Sequence, residues 1–127
     1  MKLLLDTAAL LWWLGTSERL GVRAREAITA PGNTVFVSAA SAWEVAVKRA
    51  DGRLDAPGEI GDWLDRNAFL ELPISIAHAV ESATLPFHHR DPFDRLLIAQ
   101  SRLEQMALVT NDAKIARYDV HILPAGE

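Results

Sequence analysis

The chain contains no cysteine. That excludes a disulfide framework, thiolate metal ligands and a cysteine nucleophile, and it is compatible with a reducing cytoplasm. Nor is there an apolar run approaching the ~20 residues that a membrane-spanning helix needs. The opening, Lys2 followed by apolar residues as far as Leu14, has the outline of a secretion signal. Asp6 interrupts its would-be apolar core and no small-residue cleavage site follows, so a cytoplasmic protein is expected. Glycine-rich phosphate loops and dinucleotide fingerprints are also missing, which leaves nucleotide-driven chemistry unsupported. Basic residues are in deficit: 13 Lys and Arg stand against 17 Asp and Glu, a formal charge of −4. Taken alone, that balance argues against nucleic-acid binding, where a basic footprint is expected.

What is present reads as an ordinary globular domain. A chain of 127 residues, 50% hydrophobic and 24% charged, is long enough for one proper core, and a single domain over 1–127 is expected. Strand-like and helical segments alternate: strand 2–5, helices 7–14 and 17–29, strand 34–37, helices 38–50 and 58–68, strand 69–72, helices 75–84 and 92–105, strand 106–110, helix 112–118 and strand 119–122. Ser17 and Ser75 are expected N-caps, and Pro92 suits a first helical turn. Short strands alternating with helices predict an α/β sandwich around a mostly parallel sheet of four to five strands.

Against that background, several carboxylates stand where apolar residues belong. Leu3-Leu4-Leu5 reads as a buried strand and stops at Asp6; Ala107-Leu108-Val109-Thr110 reads the same way and stops at Asn111-Asp112. Glu44 interrupts an apolar helical run, and Asp94 opens another directly after Asp91-Pro92-Phe93. A buried, unpaired carboxylate costs several kcal/mol, so each needs a partner. One divalent cation shared among them is the most economical choice. In open parallel sheets ligands bind beyond the carboxyl ends of the strands, where Asp6 and Asp112 both fall. Glu44 lies a short way into the helix that follows the second strand, and Asp94 sits in the first turn of its own helix, where the dipole favours an anion.

Each position also has a plain structural reading. Asp6-Thr7 and Asp91 are good helix caps, and Ser41 with Glu44 has capping-box spacing. The sequence leaves cap and ligand both open for these. His88 and His89 lack helical ligand spacing and any cysteine partner, which argues against zinc; a phosphate or a neighbouring carboxylate is their expected contact. An all-oxygen carboxylate set suits Mg²⁺ or Mn²⁺. Bound cations would reverse the local sign of charge. With Asp6, Glu44, Asp91, Asp94 and Asp112 set aside, acids and bases are nearly equal in number, so the net charge decides nothing about an RNA partner.

These stretches together resemble the PIN-domain ribonucleases, specifically VapC-type toxins of bacterial toxin–antitoxin pairs. The matching residues are Leu5-Asp6-Thr7 with Leu10-Leu11-Trp12, Ser38 through Lys48, Gly52-Arg53-Leu54, Asp91-Pro92-Phe93-Asp94-Arg95 with Leu97-Ile98-Ala99-Gln100, and Leu108-Val109-Thr110-Asn111-Asp112. Their order spans the chain from Lys2 to about Ile122. The resemblance implies a PIN-like three-layer sandwich in which Asp6, Glu44, Asp94 and Asp112 form a catalytic acidic site for one or two Mg²⁺ or Mn²⁺ ions. It further implies that Thr110 assists by hydrogen-bonding a carboxylate or a metal-bound water, with Asp91 an additional acid. Ala8 departs from the pattern, since relatives often carry His there.

The function implied is endonucleolytic hydrolysis of RNA, in transfer or ribosomal RNA loops, by a metal-activated water that leaves 5′-phosphate and 3′-hydroxyl ends. Lys48, Arg49, Arg53, Arg90 and Arg95 are candidate contacts to the RNA backbone. A cognate VapB-type antitoxin and a homodimer are the implied protein partners, and Leu10-Leu11-Trp12-Trp13-Leu14, apolar all round, is either core or interface. The alternatives are a non-catalytic PIN-like module that binds RNA or protein, and a metal-dependent phosphatase acting on small phosphoesters.

Overall fold

Leu3, Leu4 and Leu5 are completely buried, as a strand covered on both faces must be. They form β1 (Lys2–Leu5), the centre of the sheet in a computed structural model that describes residues 1–126. On one side β1 pairs with β2 (Thr34–Ser38), with Leu5 opposite Val37; on the other it pairs with β4 (Ala107–Thr110), with Leu5 opposite Val109. β3 (Leu70–Leu72) and β5 (Ile122–Pro124) complete the two edges, giving the order β3-β2-β1-β4-β5. Every pairing is parallel, so the strands all end at one edge of the sheet.

Helices cover both faces, because successive β1 side chains point in opposite directions. Leu3 and Leu5 pack into a core with α1 (Thr7–Leu14), α2 (Val22–Thr29) and α4 (Ile60–Asn67), represented by Leu10, Ile28, Trp63 and Leu64. Leu4 enters a second core with Leu85, which follows α5 (Ile76–Thr84), and with Leu97 and Ile98 of α6 (Pro92–Glu104). α3 (Ala39–Ala50) contributes to both, Ala40 to one and Val45 to the other. The expected α/β sandwich is thus present, with five strands and a sheet that is wholly parallel. No helix among the described residues is long and apolar enough to cross a membrane.

Three expected elements differ. The helix expected from Ser17 starts at Val22, with Gly21 as N-cap. Ser17 organises the turn before it: its hydroxyl accepts from the Arg19 N–H, and its carbonyl receives the guanidinium of Arg25. The helix expected over 112–118 contracts to a single 3₁₀ turn, Ile115–Arg117, and the last strand lies at 122–124 rather than 119–122. There Pro124 closes β5 on the edge of the sheet, where a missing N–H costs least. Ser75 caps α5 as expected and forms a capping box with His78, and Pro92 opens α6. The apolar stretch Leu10–Leu14 is mostly core: Leu10 is fully buried, and the half-buried Trp13 packs on Phe69 and donates its indole N–H to Asn67.

Candidate metal centre

The parallel sheet gathers the misplaced carboxylates at one edge. Asp6 follows β1 directly and caps α1, accepting from the Ala9 N–H at 2.8 Å, while its own N–H donates to Val109 of the neighbouring strand. Thr110 ends β4 beside it; the Thr110 hydroxyl bonds the Asp6 carboxylate and accepts from the Asp112 N–H. On the opposite flank β2 ends in Ser38, which caps α3 through the Ala40 N–H. That cap sets the phase of α3, turning Ser41 and Glu44 inward. Glu44 is therefore not the far half of a capping box. Its Oε1 accepts from the Thr7 hydroxyl at 2.7 Å and its Oε2 pairs with Lys48 at 2.6 Å. Thr7 also touches Ser41, which ties α1 to α3.

Asp91 caps α6, its carboxylate accepting from the Phe93 and Asp94 N–H groups. Asp94, one turn into the helix, projects toward Asp112, and His89 bridges them. His89 Nε2 lies 3.0 Å from Asp94 Oδ2 and 2.9 Å from Asp112 Oδ2. The other oxygen of Asp112 accepts from the Lys114 N–H. The tightest potential ligand cluster among the described residues is this trio of His89, Asp94 and Asp112. Asp6 and Glu44 stand outside it, yet close enough for their charges to act on Asp94.

Burial and mutual repulsion act on Asp6 and Asp94 most strongly. Asp6 and Glu44 are only 6% and 7% exposed. Burial pushes the Asp6 carboxyl above the usual range, against its hydrogen bonds to Thr110 and Ala9, and the charges of Asp112 and Glu44 push the same way. Asp94 is raised to about 7, chiefly by burial and then by Asp91, with His89 opposing. Burial also acts to raise Asp112, but the Lys114 N–H and His89 outweigh it and hold that carboxyl low. A hard divalent cation fits a set of four carboxylates with no thiolate among them.

Of the candidate basic contacts, Lys48 is bound to Glu44 and so borders the site. Arg49 is turned to the α3–α4 connection, where it donates to the Gly58 carbonyl and lies over the Trp63 ring, and Arg53 pairs with Asp51. Arg90 is exposed, next to His89 in the chain. Arg95 is not a surface cation at all. It is buried, and its guanidinium donates to the carbonyls of Ser82, Leu85, Pro86 and His89, which removes it from the candidates for RNA contact. His89 and Thr7 are the residues at the site that sequence reasoning did not assign to it. A phosphate or a neighbouring carboxylate was the expected contact of the histidine pair; His89 lies against two carboxylates, and His88 instead packs edge-on against Tyr118.

The family model of the PIN domain matches residues 3–121. No curated protein matches the sequence. Among solved structures, the fold is similar to VapBC2 from Rickettsia felis bound to a DNA fragment from its promoter, with a TM-score of 0.69 at 15% identity over 100% of both chains. It is likewise similar to a toxin–antitoxin complex from Klebsiella pneumoniae, with a TM-score of 0.68 at 21% identity over 98% of both chains. With the family model spanning almost the whole chain and the acids gathered at the strand ends, the protein belongs to the PIN domain family.

Proposed function

We propose that the protein is a VapC-type toxin: a divalent-cation-dependent endoribonuclease that an antitoxin protein restrains. The observation that carries this reading is the convergence of Asp6, Glu44, Asp94 and Asp112 at the carboxyl edge of the sheet, with two of the four carboxyls held above their usual range. Those four would hold Mg²⁺ or Mn²⁺. When bound, such an ion neutralises phosphoryl oxygens and makes a coordinated water more acidic.

The chain's own groups prepare the site. Thr110 and the Ala9 N–H orient Asp6; Thr7 and Lys48 orient Glu44; the Lys114 N–H and His89 orient Asp112. No side-chain nucleophile is needed for hydrolysis of this kind. Lys48 and Arg90 are the basic residues best placed to meet an RNA backbone, Lys48 through its contact with Glu44 and Arg90 through its exposure beside His89.

Protein partners are part of the same reading. Both solved relatives named above are toxin–antitoxin assemblies. This chain leaves an apolar face open on α5 and its surroundings: Ile76 is 85% exposed and Phe87 75%, while Trp43 and Phe87 line a groove with Ala79 and Ala83. Monomeric proteins rarely leave such a face uncovered. A homodimer and an antitoxin are the occupants proposed for the molecule's apolar surfaces.

The test is an assay of purified protein on total RNA and on a generic phosphomonoester, each with Mg²⁺ and with chelator. Mg²⁺-dependent cleavage of RNA that Asp94→Asn abolishes is the expected result. Turnover of the phosphomonoester alone would make the protein a phosphatase, and binding of RNA without cleavage would make it a non-catalytic module.

A further inference from the structure

His89 belongs to no regular element, and its place is nevertheless tightly defined. Arg95 reaches back from α6 and donates to four carbonyls between Ser82 and His89, casting the α5–α6 connection around one guanidinium. Tyr118 pins the same connection from the other side, accepting from the His89 N–H at 2.9 Å and donating to the Pro86 carbonyl. The imidazole is 11% exposed. Its Nδ1 accepts from the Asp91 N–H at 3.2 Å. A ring nitrogen that accepts carries no proton, so the ring proton of the neutral imidazole sits on Nε2, between Asp94 and Asp112. In that tautomer Nε2 has no lone pair to offer a metal.

We infer that His89 is a positioning residue of the cation site: its Nε2–H donates to Asp112 and stands 3.0 Å from the Asp94 carboxylate, holding the two acids together without the ring itself ligating the ion. The inference rests on the cation-site reading proposed above. Asp94 leaves a helix N-terminus and Asp112 a strand end, and nothing covalent or secondary-structural fixes their separation. Among the described residues, His89 is the side chain that makes polar contact with both. Removing outer partners of this kind typically costs about 10–100-fold in metal affinity or activity.

Two measurements on the full chain test this. Long-range ¹H–¹⁵N NMR of the cation-free protein reads the ring directly: His89 should show an unprotonated Nδ1 and a protonated Nε2, and the opposite tautomer would overturn the proposal. Calorimetric titration with Mn²⁺ then compares variants. His89→Ala should weaken binding about 10-fold or more, while His89→Gln, whose amide N–H can stand near the imidazole Nε2–H, should recover most of the loss. Equal or tighter Mn²⁺ binding by His89→Ala would overturn the positioning role while leaving the cation site intact. A ¹⁴N coupling of a directly bound imidazole in the spin-echo spectrum of the Mn²⁺-loaded wild type, lost in His89→Ala, would overturn it in favour of ligation. Absence of Mn²⁺ binding by the wild type would instead overturn the cation-site reading, and the role assigned to His89 would fall with it.

Discussion

Lys48 Nζ sits 2.6 Å from Glu44 Oε2, one turn along α3, so that among the described residues a half-exposed ammonium is the cation paired with a nearly buried carboxylate. Lys48→Met leaves that carboxylate without its countercharge, so it should cost about 1–3 kcal/mol, more than the roughly 0.3–0.5 kcal/mol of a fully exposed pair. The proposed activity should respond as well: removing the ammonium frees Glu44 to turn and takes a positive charge from the edge of the site. RNA cleavage at saturating Mg²⁺ is expected to fall about tenfold, a loss of about 1.4 kcal/mol in transition-state stabilisation. Matched urea unfolding and cleavage kinetics check both halves of the expectation.

Asp94 makes stability depend on pH in an unusual direction. Its carboxyl is raised to about 7 in the folded chain against an ordinary value near 4, so between those values the native state holds a proton that the unfolded chain has released. This group therefore favours folding at acid pH, and its contribution is lost as pH rises toward 7. Asp94→Asn, which never carries the charge, should stabilise the cation-free protein by on the order of 1–2 kcal/mol at pH 8 and by little at pH 4. Thermal unfolding across that range in chelator would show the difference shrinking as the pH falls.

A divalent cation that binds only the folded chain should raise Tm as its concentration rises, by an amount equivalent to about 2.7 kcal/mol at one hundred times its dissociation constant. Because Asp94 must lose its proton to serve as a ligand, the shift should be larger at pH 8 than at pH 6. Asp112→Asn and Asp94→Asn should each abolish most of it. Thermal scans with Mg²⁺, Mn²⁺ and chelator at the two pH values measure this without any RNA present.

Arg95 is buried with no carboxylate partner among the described residues; carbonyl oxygens meet its charge. Arg95→Ala strands those carbonyls and empties the space between α5 and α6. It should cost about 3 kcal/mol or more, where a surface arginine would cost a few tenths. Arg95→Lys keeps the charge but cannot reproduce the planar fork, and is expected to recover only part of the loss. Urea denaturation decides between these outcomes.

Phe87→Glu addresses the open face beside α5. A charge at a position 75% exposed should leave the folded monomer intact. If that face is where the protein associates, sedimentation velocity will show the wild type shifting to a larger species with concentration and the variant remaining a monomer.

The fold was largely legible because its central strands are buried on both faces and so read as unbroken apolar runs. Their ends are sharp, which made Asp6 and Asp112 conspicuous. Glu44 could be singled out because no polar stripe accompanies it until Lys48. Where local signals were weak, reading the sequence faltered. Ser17 has a capping residue's chemistry, but its hydroxyl serves the next turn and α2 begins at Val22. β5 is three residues on an edge, positioned by its ladder to β4 rather than by any pattern of its own. Arg95 could not be told from a surface arginine, because its burial depends on how α5 packs against α6. The histidine pair could be expected to meet a phosphate or a carboxylate, but nothing in His88-His89-Arg90 indicates which imidazole the Arg95 and Tyr118 contacts will turn inward.

The parallel sheet has one more consequence, for the order in which the molecule comes into being. β1 leaves the ribosome before the other four strands of the sheet, yet it lies at the centre and pairs with β4, roughly a hundred residues later in the chain. Contacts of such long range form late. A chain stalled between α3 and α6 carries Asp6 and Glu44 but neither Asp94 nor Asp112. If the proposed activity holds, a copy that has not yet reached Asp112 cannot cut the RNA of the ribosome that is making it, and the hazard arrives only once β4 and the acid beyond it are in place.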